Sequence, residues 1–127
     1  MTPLGARLRR LRSDRGVTLG EMAAALGVSA AYLSALEHGK RGVPRAVFLE
    51  LINGYFNLGW DDAEELRRLA DVSDPRVVLD TAGLSPKATE FANRLAARIG
   101  DLDDSRFDTL LAEIEDPEER TMFLAEI

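Results

Sequence analysis

The chain has 127 residues, 46% hydrophobic and 30% charged, with a net charge of −6, no cysteine and one histidine, His38. One domain with a small extension fits that length, and the apolar content suffices to bury a core. Disulfide scaffolds, thiolate metal sites, thiol nucleophiles and His/Cys zinc clusters are excluded, and no apolar run approaches the ~18 residues of a membrane span.

Residues 1–12 alternate Leu and Arg without the apolar run of a signal peptide, which points to a soluble, cytoplasmic protein. Leu4, Leu8 and Leu11 form one apolar stripe, so the spacing predicts a first helix that stops near Gly16. Thr18 and Glu21 predict a capping box for a second helix carrying Leu19, Met22, Ala23 and Leu26, closed by Gly27. Ser29 then caps a third helix through Leu33 and Leu36 to Gly39. Two short helices with a break at Gly27 make a sharp helix-turn-helix corner.

Lys40 to Val43 reads as a polar loop, and Pro44 suits the first turn of a fourth helix. Phe48, Leu51, Ile52, Tyr55 and Phe56 mark its predicted core face. A fifth helix carries Ala63, Leu66, Leu69 and Ala70, with Asp61 and Glu64 as its cap. Tyr55, Phe56 and Trp60 read as packing for these two helices rather than as a base-stacking platform. The acidic pairs Asp61–Asp62, Glu64–Glu65 and Asp103–Asp104 read as helix first turns, not metal sites.

Residues 71–86 are the least regular. Val77-Val78-Leu79 has no second strand to pair with, so a short helix or docked linker is expected. Ser85-Pro86 starts a helix with Ala88, Phe91, Ala92, Leu95 and Ile99, and another follows from about Asp103 with Phe107, Leu110, Leu111 and Ile114. Asp116-Pro117-Glu118-Glu119 starts a last one bearing Met122, Phe123 and Ile127. The expected organisation is a helix-turn-helix domain over 1–72, a linker or short helix over 73–84 and a helical extension over 85–127. The fold class is all-α.

Charge divides along the chain. Residues 1–50 hold eight basic and four acidic side chains, whereas residues 51–127 hold eight and eighteen. That is the pattern of a nucleic-acid-binding head on an acidic body, or of acids crowding the solvated faces of the later helices.

The motifs Leu11-Arg12, Arg15-Gly16-Val17-Thr18, Glu21-Met22-Ala23, Leu26-Gly27-Val28-Ser29, Tyr32-Leu33-Ser34 and Leu36-Glu37-His38-Gly39-Lys40-Arg41 resemble the Xre/Cro family of phage-repressor-type helix-turn-helix proteins. The resemblance covers roughly residues 4 to 58. It implies a bundle of about five helices whose third enters the DNA major groove, usually in a dimer that represses transcription from a near-palindromic operator. Carried over by position, the base-facing residues are Ala30, Ala31, Tyr32, Ser34 and Ala35. Arg12 and Glu37 match a structural ion pair between the first and third helices.

Two departures from the family pattern stand out. Alanines occupy base-facing positions where relatives often carry Gln, Arg, Ser or Asn, and Leu19 replaces a Gln that clamps a phosphate. Phosphate contact then falls to Thr18, Ser29, Lys40, Arg41 and Arg45, with Arg7, Arg9 and Arg10 either on the same side or simply solvated.

The extension offers Phe91, Leu95, Ile99, Phe107, Leu110, Leu111, Ile114 and Phe123 for dimerisation. Double-stranded DNA and a second copy are the expected partners, with a protein partner as the alternative. A toxin covered by the extension, or an activator docked by the same fold, would serve in that role. No catalytic residue, metal or cofactor is expected, since His38 stands alone at a helix end.

Overall fold

The computed structural model describes residues 1–115, and every regular element among them is helical. α1 (Pro3–Arg15) opens at Thr2, whose Oγ1 accepts from the Gly5 N–H at 3.0 Å, while Pro3 has no donor to satisfy. It closes at Gly16, which takes the left-handed φ of 65°.

α2 (Leu19–Leu26) begins where Thr18 Oγ1 accepts from the Glu21 N–H at 3.1 Å, and ends at Gly27 with φ 72°. α3 (Ala30–Glu37) follows at once, with Ser29 Oγ accepting from the Tyr32 N–H at 3.0 Å. A bend of 113° separates the two helices. Ala23 is buried and Val28 half-buried at that corner, so small and branched side chains fill it.

α4 (Ala46–Phe56) and α5 (Trp60–Asp71) complete the head. α1 packs on α3 and α5, while α2 packs on α3 and α4. The core joins Leu4, Leu8 and Leu11 to Met22, Leu33, Leu36, Leu49, Ile52, Phe56 and Leu66. Each such side chain contributes roughly 1.5–3 kcal/mol by leaving water.

Several sequence expectations shift here. α4 starts at Ala46 behind Arg45, so Pro44 lies buried in the connector rather than in the helix. Leu49, Ile52 and Phe56 face the core, leaving Leu51 half exposed. α4 is apolar around much of its circumference, so periodicity alone does not choose a face. Gly59, not Asp61, precedes the first residue of α5, and Trp60 is 88% exposed rather than packed. At the far end Ser73 is buried; its Oγ accepts from the Leu4 N–H at 2.9 Å and donates to the Leu69 carbonyl. One of the unpaired amides in the first turn of α1 is thereby satisfied.

The chain divides into two units, residues 1–78 and 79–127. Val77, Val78 and Leu79 belong to no helix and are exposed, so neither the short helix nor the docked linker expected of them forms. In the second unit, α6 (Pro86–Arg98) starts at Ser85, whose Oγ accepts from the Ala88 N–H at 3.2 Å. A single 3-10 turn (Ile99–Asp101) leads to α7 (Asp104–Ile114), capped by Asp103. No residue of α6 or α7 is buried. The helix expected from Asp116, with Met122, Phe123 and Ile127, lies outside the described residues. Among the described residues no single helix is long and apolar enough to cross a membrane.

Candidate nucleic-acid interface

The site begins with what fixes α3. Its inward side chains, Leu33 and Leu36, are buried with Glu37, which is only 2% exposed. A buried carboxylate needs a partner, and Arg12 of α1 supplies one in a two-pronged contact. Arg12 Nε donates to Glu37 Oε1 at 2.8 Å and its second terminal nitrogen to Oε2 at 2.9 Å. A third Arg12 donor reaches the Val17 carbonyl at 3.3 Å, tying the pair to the loop before α2. The hydrogen bond to Glu37 holds the Arg12 guanidinium above its ordinary pKa.

The backbones of the two helices also meet. Gly5 of α1 is buried against Glu37, where an added Cβ would stand 2.1 Å from the Glu37 carbonyl oxygen. Only a residue without a side chain permits that approach. Gly5 escaped the sequence reading, although a glycine inside a helix, unfavourable by roughly 1 kcal/mol, was the available signal.

With Leu33, Leu36 and Glu37 turned inward, the 3.6-residue period places Ala31, Ser34 and Ala35 on the other side, while Ala30 is the first residue of the helix. Ala30 and Ala31 are exposed; Ser34 and Ala35 are half-buried. His38 Nδ1 donates to the Ser34 carbonyl at 2.8 Å and lies 3.5 Å from its hydroxyl. Tyr32 is half-buried: its ring meets the Phe48 ring edge-on at 5.8 Å, and the Arg41 guanidinium sits 5.6 Å from its centroid.

Thr18 and Ser29, both exposed, accept from the third amide of α2 and of α3, those of Glu21 and Tyr32 respectively. Each hydroxyl accepts from the backbone and keeps its own O–H to donate outward. Lys40, Arg41 and Arg45 are exposed and form no ion pair among the described residues. Arg7 belongs elsewhere, lying 3.7 Å from Asp62 and 3.8 Å from Glu65 of α5. Arg9 and Arg10 are exposed. Leu19 is half-buried against the core, a packing role in place of a phosphate clamp.

Beside this face an open groove of about 460 Å³ is lined by Val28, Tyr32, Arg45, Val47, Phe48 and Leu51. In the second unit, Phe91, Ile99, Leu111 and Ile114 are at least half exposed. Leu110 is 36% exposed, and Leu95 and Phe107 are half-buried.

Comparison with known proteins follows the same line. A family model described as a helix-turn-helix domain matches residues 3–77. The chain is 49% identical over 45 residues to the HTH-type transcriptional repressor RghR of Bacillus subtilis, covering 35% of this chain and 33% of that protein. It is 32% identical over 62 residues to the HTH-type transcriptional regulator RghRB of the same organism, covering 49% and 45%. It is 40% identical over 73 residues to the HTH-type transcriptional regulator PrpR of Mycobacterium tuberculosis, covering 55% and 15%. The chain thus spans less than half the length of each of these relatives. No solved structure gives a significant match. With the turn at Gly27, the Arg12–Glu37 pair and a family match over more than half of its length, the chain belongs to the helix-turn-helix domain family, of the phage-repressor (Xre) type.

Proposed function

We propose that the chain is a sequence-specific DNA-binding regulator of transcription, acting as a dimeric repressor on a near-palindromic operator. One observation carries the reading: α3 opens with the exposed alanines Ala30 and Ala31, and the exposed cations Lys40, Arg41 and Arg45, with no ion pair among the described residues, follow it. The regulator and repressor names of the relatives support the same direction. Short side chains let the α3 backbone approach a groove closely, and the cations meet phosphates.

Ala30, Ala31 and Ala35 offer only methyl contact to thymine, so the bidentate pairs worth roughly 1–3 kcal/mol of discrimination are missing. Specificity then leans on operator shape and half-site spacing. Spacing requires a dimer, and the second unit suits one. α6 and α7 have 13 and 11 residues and bury none of them, whereas helices that short are marginal alone. Phe91 and Leu95 lie four residues apart along one side of α6, and Ile99 follows four residues later at the start of the 3-10 turn. Pairing these segments with Phe107, Leu110, Leu111 and Ile114 across a twofold axis suits an operator whose two half-sites lie about one DNA turn, ~34 Å, apart.

A second reading is favoured by the open apolar groove beside α3, where Val47 is 72% exposed. In it the same fold binds another protein, as an antitoxin or anti-activator. A gel shift on duplexes from the upstream region of the chain's own coding sequence, with a pull-down in parallel, separates the two. Retardation that disappears in Ala31→Glu, at unchanged melting temperature, supports DNA recognition. A clean pull-down without retardation supports the protein-binding module.

A further inference from the structure

The resemblance puts Tyr32 among the base-facing residues, yet its ring is engaged on two sides. The Phe48 ring of α4 stands perpendicular to it with centroids 5.8 Å apart, and the Arg41 guanidinium carbon lies over the ring, 5.6 Å from its centroid. Arg41 itself comes from an exposed connector between Gly39 and Gly42, where nothing else in the described residues restrains its long side chain. We propose that Tyr32 is a positioning residue. Its ring is a shelf, anchored by Phe48, that holds the Arg41 guanidinium beside the first turn of α3, ready for a backbone phosphate of bound duplex DNA.

The chemistry fits a shelf. A cation within about 6 Å of a ring centroid is attracted to the ring face, and a guanidinium can meet that face with its own flat side. Its five N–H donors lie in the plane and stay free for two parallel bonds to phosphate oxygens. The Tyr32 N–H is already bonded to Ser29, so the ring sits within the first turn of α3, whose amides also favour an anion. This role rests on the DNA-binding reading and refines it: Tyr32 acts through Arg41 rather than on a base.

The test uses the full chain and a duplex selected from a random-sequence pool, with binding followed by fluorescence anisotropy at several salt concentrations. Tyr32→Phe keeps the shelf and should bind within about twofold of the parent with the same salt slope. Tyr32→Leu should bind about tenfold more weakly, as for one charged contact, with a slope shallower by ~0.9. In an Arg41→Ala background Tyr32→Leu should add nothing. Additive losses, or a Tyr32→Phe variant as weak as Tyr32→Leu, would overturn the shelf while leaving DNA binding intact. A parent chain that selects no duplex would overturn the DNA reading itself. A readout without DNA guards against a misfolded Leu variant. The Arg41 δ-methylene protons should be shifted upfield by the ring in the free parent and in Tyr32→Phe; ordinary shifts in the parent would overturn the stack.

Discussion

Gly5 and Glu37 stand so close that a methyl group on Gly5 would lie 2.1 Å from the Glu37 carbonyl oxygen and 2.8 Å from its carbonyl carbon. The same Glu37 receives Arg12 through its carboxylate. The end of α3 is therefore gripped by α1 through both backbone and side chain, and the orientation of its exposed start follows from that grip.

Gly5→Ala tests the backbone half. Alanine favours a helix by about 1 kcal/mol over glycine, but the methyl would collide with backbone that cannot rotate away. We expect a net loss of at least about 2 kcal/mol in denaturant unfolding. A stabilised Gly5→Ala variant would contradict the close approach.

Arg12 and Glu37 form the other half. Arg12→Met strands a buried carboxylate and should cost about 3 kcal/mol or more. Arg12→Met combined with Glu37→Leu removes both charges and should recover most of that loss. Unfolding midpoints of the two single variants and the double variant measure the coupling; additive effects would mean that the two side chains do not act as a pair.

Lys40 and Arg41 carry the electrostatic prediction. Reversing both to Glu should weaken duplex binding and flatten the dependence of log affinity on log salt by about 1.8, the share of two phosphate contacts. Binding and slope unchanged from the parent would remove these residues from the interface.

The second unit yields a prediction about assembly. If Phe91 and Leu95 lie at a twofold interface, Leu95→Asp in the full chain should convert a dimer to a monomer in sedimentation at micromolar concentration. Ending the chain before Ser85 should do the same and leave the head folded, with weaker operator binding in both cases. A parent chain that sediments as a monomer would contradict the proposed dimer.

Much of the head was legible because its signals are local. Thr18, Gly27 and Ser29 announce their helix ends through side-chain and backbone chemistry within four residues, and Leu4, Leu8 and Leu11 keep one phase of the helical period. What escaped depends on distant partners. Ser73 bonds Leu4 across 69 positions, and Gly5 matters only because Glu37 arrives beside it. Trp60 read as core because it is large and apolar, yet its place at the first residue of α5 turns it to solvent. Tyr32 read as a base contact from its position; its engagement with Phe48 and Arg41 is set by how the α3–α4 connector folds.

Amide chemical-shift mapping of the full chain, titrated with a selected duplex, tests the central claim most directly. The account predicts that perturbations concentrate at Thr18, at Ser29 to Ala35 and at Lys40 to Arg45. Perturbations confined to α5 or the second unit, or none at saturating duplex, would contradict a groove-entering α3.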